Sequence, residues 1–297
     1  MSFKKNQHPQ GLGWLSVIYG LYMWTFGTLV ASSTLFLKSL TGMNTHLAYI
    51  IYATFASLLW TLPIFGGYTS EKIGYIRACI IGLLFATLGT LFLWFKTFNF
   101  CILGFALFSV GNALFTPSAW CLVDHLYNKN DIKRESGFTL FYLCFNFFTI
   151  AGIFINTNLG AHFGYPLEFQ LCTLFCLMTL ALLTFSLYKN KLTLAENRSI
   201  EPQLKHSATT ITGLTMAGLI ITTPLICILL FKPFINNIMT FIMTLAVILI
   251  LITIAKNQST TLARNKIFGF ILLCFFATGF WTLYNIEPSL LSVYIQD

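Results

Sequence analysis

Apolar runs broken by short polar segments recur along the whole chain, at about 13–37, 47–66, 76–95, 99–122, 137–157, 168–188, 211–231, 235–255 and 267–290. Each is near the roughly 20 residues that a helix needs to cross a hydrocarbon core. The pattern predicts nine helices and an all-α fold. The polar stretch "YKNKLTLAENRSIEPQLKHSATT" (188–210) follows the sixth run and reads as a linker, and "KPFINN" with Pro233 parts the seventh from the eighth. The seventh and eighth runs carry no charge in "GLIITTPLICILLF" and "IMTFIMTLAVILILITIA", which predicts surfaces made for lipid. The ninth differs, ending on Asn285, Glu287 and Pro288. The first run is too long for a cleavable signal peptide, and no small-residue cleavage site precedes a soluble remainder.

Composition supports a membrane solvent. Hydrophobic residues make up 57% of the 297 residues, charged residues 9%, and mean hydropathy is +0.78. A soluble domain carries about 25% charged residues, so a globular aqueous surface is excluded. With the N-terminus in the cytoplasm, alternate loops place fourteen of the 17 Lys and Arg residues inside and only Lys38, Lys96 and Lys232 outside. The net charge of +8 is therefore a topology signal of the positive-inside kind. Spread over short separate loops, it is not a nucleic-acid-binding patch. The expected setting is the lipid bilayer of the inner (plasma) membrane, crossed many times.

The eight cysteines lie in or near apolar runs without a C-x-x-C pair or a histidine cluster. They read as small packing residues, since two thiols such as Cys172 and Cys176 make a poor metal site. The five histidines never pair at i,i+3 or i,i+4 on one helix, and no Ser-His-Asp or phosphate-binding arrangement is visible. The sequence thus points to no enzyme, no metal and no cofactor.

The order of elements suggests residues 1–188 as a six-helix bundle, 189–210 as a cytoplasmic linker, 211–256 as an inserted helix hairpin and 264–297 as the first helix of a second half. Secondary transporters are often built from two halves with the substrate between them. Three segments stand out chemically. In "GGYTSEKIGYIR" (66–77), Gly66 and Gly67 predict close helix approach and a tight turn, while Glu71, Lys72 and Arg77 form a candidate surface charge cluster. A positive-inside loop with a helix cap is the plainer reading. The second is "GNALFTPSAWCLVDHLYNKNDIKRESGFTLFYLCFNFFTIAG" (111–152), and the third "GFWTLYNIEPSLL" (279–291).

The second segment resembles the proton-dependent oligopeptide transporters of the major facilitator superfamily, in which G-N-G-L-F-K-x-N, an N-D-P-R-type loop and G-F-T-x-[FY]-Y-x-x-x-N follow one another. Gly111, Asn112, Leu114, Phe115, Asn130, Asp131, Arg134, Gly137, Phe138, Thr139, Tyr142 and Asn146 match. "GGYTSEKIGYIR" resembles the superfamily's G-G-x-L-x-D-[RK], "LGAHFGY" the segment before helix six, and the third segment the seventh core helix. The resemblance spans essentially the whole chain. It implies a six-helix N-terminal bundle, an extra helix pair and the first helix of a second bundle. It also implies di- or tripeptide substrates, symport with protons, and a latch at Gly66, Gly67, Glu71, Lys72 and Arg77.

Asn146 sits within an otherwise apolar helix, and an amide left uncompensated in hydrocarbon costs several kcal/mol, roughly. It therefore faces the bundle interior, either lining a cavity or bonding a neighbouring helix, the latter worth about 0.6–2 kcal/mol. By resemblance it contacts the peptide backbone, which an amide matches as both donor and acceptor. Tyr142 shares its face at i−4. Asn285 and Glu287 are expected to face them.

The departures matter too. Where the family carries E-x-x-E-R on its first helix, this chain has Leu21, Tyr22, Met23, Trp24 and Thr25; Thr116 replaces the helix-four lysine, and Phe148 a helix-five glycine. Glu168, Asp124 and His125 read as interfacial or capping groups, leaving Glu287 as the plausible buried acid. Loss of proton coupling is expected. The family's remaining five core helices are expected from a separate C-terminal half chain. The alternative is a transport-inactive remnant or half-transporter acting as a membrane interaction protein.

Overall fold

The computed structural model describes residues 8–40, 44–128, 131–189, 207–256 and 261–286. Among these, nine α-helices follow one another: α1 (Gln10–Lys38), α2 (Thr45–Ile73), α3 (Tyr75–Leu93), α4 (Phe98–His125), α5 (Arg134–Phe163), α6 (Tyr165–Tyr188), α7 (Ser207–Phe231), α8 (Pro233–Lys256) and α9 (Thr261–Ile286). As far as the described residues reach, every predicted apolar run is a helix, the ninth to Ile286. The helices outlast the runs at several ends because their polar last turns still satisfy backbone groups locally. Six of them, α1 to α6, are long and apolar enough to cross a membrane.

Two breaks need glycine. Gly74 between α2 and α3 and Gly164 between α5 and α6 both adopt φ 92°, a region that side chains disfavour. Gly66 and Gly67 instead lie inside α2, so the tight turn expected there falls at Gly74. Their expected close approach does hold at Gly66, where a Cβ would run into the Ala113 carbonyl.

The chain divides into two compact units. One comprises residues 1–31 and 58–228, the other 32–57 and 229–297. In the first, α3 packs along α4 and also against α6, and α5 packs on α6. The α3–α4 seam is built on glycine. A Cβ at Gly82 would lie 2.7 Å from the Gly111 carbonyl oxygen, and one at Gly89 would lie 2.8 Å from that of Gly104. The antiparallel pairing brings the two backbones together at both levels, the small-residue packing that drives helix association where lipid offers no hydrophobic gain. A second close crossing joins α1 to α5, where a Cβ at Gly152 would meet the Trp24 carbonyl oxygen at 2.5 Å. In the other unit, α8 packs against α9, and both expose large apolar side chains such as Phe241, Ile250, Phe275 and Phe276.

Candidate functional site

Inside the first unit a buried amide joins three helices. Asn112 of α4 is 2% exposed. Its Nδ2 donates to the Leu59 carbonyl at 2.8 Å, and its Oδ1 accepts from Tyr22 Oη at 3.0 Å and from Thr116 Oγ1 at 2.8 Å. One N–H donor and both lone pairs of the acceptor are thus used, as befits a buried amide. Thr116, standing where the resembled family has a lysine, serves this network. Tyr22 and Phe115 pack at a centroid distance of 4.5 Å, and Tyr19 stacks on Phe141 of α5 at 5.0 Å. Trp120 donates to Tyr19 Oη at 3.3 Å.

The α1 positions that depart from the family pattern are neutral and occupied. Tyr22 is bonded to Asn112, Trp24 stacks on Phe175 at 4.5 Å, and Thr25 Oγ1 donates to the Cys172 carbonyl at 3.2 Å. Phe148 is accommodated by Gly20 across the α1–α5 crossing.

Tyr142 and Asn146 lie one turn apart on α5, the least buried of the first six helices. Tyr142 is 47% exposed. Asn146 Nδ2 donates to the Tyr142 carbonyl at 2.7 Å, which leaves its Oδ1 free to accept from elsewhere. The structure therefore brings these two together on one face. The side chain of Asn285, near the end of α9, and the whole of Glu287 lie outside the described residues.

At the α2–α3 and α4–α5 ends the polar residues cluster. Glu71, Lys72 and Arg77 are exposed, with Lys72 Nζ 4.2 Å from the Tyr68 ring centroid. Asp124 ends α4 and pairs with Arg134, which opens α5; Arg134 Nε reaches Asp124 Oδ1 at 2.6 Å. Asp131 accepts from the Lys133 N–H at 2.9 Å and from Arg134 N–H through its carbonyl at 3.0 Å, starting α5. Tyr127 bonds His8 Nδ1 at 2.9 Å and presses on Gly137, where no larger residue fits. Burial pushes the Tyr127 phenol up to about 12, with Asp131 adding to the effect, so it stays protonated.

Asp124, read as an interfacial or capping charge, stands at the end of α4 and pairs with Arg134 at the start of α5. One reading needs correcting. Glu168, expected at the interface, is 0% exposed within the first turn of α6. The sequence missed it because the apolar run was taken to begin there, whereas the helix begins at Tyr165. The cysteines are free; Cys79, Cys101, Cys172 and Cys176 are buried as packing residues, Cys121, Cys144 and Cys227 partly so, and Cys274 is exposed. Among the described residues, no group of His, Cys, Asp and Glu is arranged to hold a metal ion.

Residues 73–297 match the family described as PTR2: POT family. The dipeptide and tripeptide permease B of Photorhabdus luminescens is 25% identical over 256 residues, 85% of this chain and 51% of that protein. The permease of the same name from Salmonella typhimurium is 25% identical over 272 residues, covering 91% of this chain and 54% of the relative. An uncharacterized transporter of Bacillus subtilis is 26% identical over 261 residues, with 86% and 53% covered. The chain thus spans about half the length of the curated relatives it matches. Among solved structures, that of the peptide transporter POT in complex with sulfate has a TM-score of 0.77 at 20% identity, covering 100% of this chain and 62% of its own. That likeness shows the fold. With a family match over most of its length, apolar spans and this fold, the chain is a multi-pass membrane protein and belongs to the POT family of transporters.

Proposed function

We propose that the chain forms the peptide-recognising N-terminal part of a di- or tripeptide transporter of the inner membrane, with its N-terminus in the cytoplasm. The observation that carries this reading is the α5 face on which Tyr142 and Asn146 stand together, one aromatic and one amide group, accessible rather than packed. A peptide offers the same donors and acceptors that an amide side chain matches. The relatives' names, dipeptide and tripeptide permeases, agree with that substrate class. Asn285 and Glu287 are further peptide-binding groups in this proposal, and Gly66, Gly67, Glu71, Lys72 and Arg77 act as the cytoplasmic latch during alternating access.

A second reading, a half-transporter that acts as a membrane interaction protein, is favoured by α1. The positions that would carry coupling glutamates and an arginine hold neutral residues bonded or stacked within the bundle. The two are separated by binding and uptake. Purified chain is titrated with a labelled dipeptide, and uptake is measured in vesicles with and without a second-half polypeptide. Binding that is lost in Asn146→Leu, with uptake only when both chains are present, supports the transporter. Absence of binding in well-folded protein overturns it.

A further inference from the structure

The first turns of α1 and α5 are joined through a residue that belongs to neither helix. Tyr127 lies two residues beyond the end of α4, and its main-chain N–H donates to the Asp124 carbonyl at 3.2 Å, so its backbone is fixed to the last turn of that helix. Asp124 in turn pairs with Arg134 at the start of α5. From this platform the Tyr127 side chain turns inward and is 1% exposed. Its phenol rests on Gly137 in the first turn of α5, where a Cβ would run into the ring and its oxygen. The same oxygen lies 2.9 Å from Nδ1 of the half-buried His8, with the two rings edge-on at 81°. His8 is followed by Pro9 and then by α1, and the Leu12 N–H donates to the Pro9 carbonyl at 3.0 Å. Proline fixes φ, so the position of His8 is passed stiffly into the helix.

We propose that His8 and Tyr127 form a releasable pin, which holds the N-terminal end of α1 against the α4–α5 end of the bundle and whose opening frees the first turns of α1 and α5 together. The two helices meet again further along, but there by shape: Phe148 stands against Gly20, and the Trp24 main chain against Gly152. Close packing of that kind has no single bond to break. The pin differs in kind. It is one hydrogen bond between an imidazole and a phenol, and such a bond shifts an equilibrium by only about two- to tenfold. The N-terminal end is therefore where the α1–α5 pair opens first. Gly137 belongs to the device. Because the phenol sits on it, whatever lifts Tyr127 off α5 also draws its oxygen from His8, and the start of α1 responds to the start of α5 through a side chain of neither. The pin uses no group of the candidate latch on α2 and α3, and it does not rest on the transporter reading.

The test is hydrogen–deuterium exchange of the purified full chain in nanodiscs. It is read by mass spectrometry on peptides from the starts of α1 and α5, with peptides from the α3–α4 seam as reference. Tyr127→Phe keeps the ring on Gly137 and removes the oxygen, and His8→Ala removes the other partner. Each is expected to speed exchange about two- to tenfold at both helix starts and to leave the α3–α4 seam unchanged. The double variant should exchange no faster than either single one, since the same bond is lost in all three. Gly137→Ala, which pushes the phenol away, should speed exchange at the start of α1 as well. Exchange that stays at the wild-type rate in both single variants overturns the proposal. So does a change confined to each variant's own segment, or a double variant in which the two effects add. If Gly137→Ala fails to fold, Tyr127→Phe and His8→Ala decide alone, because neither adds volume to the bundle.

Discussion

Phe148 fills the space that a side chain at Gly20 would take: a Cβ on Gly20 would lie 2.5 Å from Phe148 Cδ2. Bulk on α5 is matched by its absence on α1. Truncating Phe148→Ala should cost about 3–5 kcal/mol through the cavity it leaves, and Gly20→Ala about 1–3 kcal/mol through overpacking. The two changes together should cost less than their sum, because the methyl enters the vacated space. A double-mutant cycle on thermal unfolding reads this directly; strict additivity would show that the two residues are not coupled.

Asn112 should be the most sensitive polar position in the first unit. Asn112→Leu strips the Tyr22 and Thr116 hydroxyls of their shared acceptor. The expected loss is about 1–3 kcal/mol, with Tyr22→Phe costing less because only one bond goes. Chemical denaturation of the two variants should rank them in that order.

The α3–α4 seam leaves no room for volume. Gly82→Leu or Gly111→Val should abolish the native fold, whereas Gly13→Ala, with nothing within 4 Å of an added Cβ, should be silent. Size-exclusion profiles in detergent will separate these outcomes.

For the peptide site, Asn146→Leu is expected to remove dipeptide binding while leaving insertion and thermal stability within about 0.5 kcal/mol, since its visible bond is to its own helix at Tyr142. Tyr142→Phe should weaken binding less. Equal affinities for wild type and N146L by calorimetry would move the site off this face.

Much of the fold was legible in the sequence, for identifiable reasons. Apolar runs near 20 residues are enforced by bilayer thickness, so all nine helices could be read from them. The placement of Asn146 in an apolar helix signalled that it must find a partner or a cavity, whereas the network around Asn112 was not foreseen. What stayed hidden depends on pairings between distant segments. Nothing near Gly66 announces Ala113 as its neighbour, and nothing near Phe148 announces Gly20. Glu168 was misjudged for a local reason: a helix start shifted by three residues turns an interfacial acid into a buried one. The pairing of Asp124 with Arg134 stayed hidden because it crosses a polar loop that hydropathy alone leaves blank.

The doubled glycine contact between α3 and α4 also sets which parts of the bundle are free to deform. With backbone against backbone at Gly82–Gly111 and at Gly89–Gly104, the two helices meet at these points chiefly through main chain, which has no rotamer to change and act as a bearing. Sliding one past the other by a residue would drive a Cβ into a carbonyl at both levels at once. The pair is a strut, and flexing within this unit falls to seams where side chains rather than glycine backbones meet.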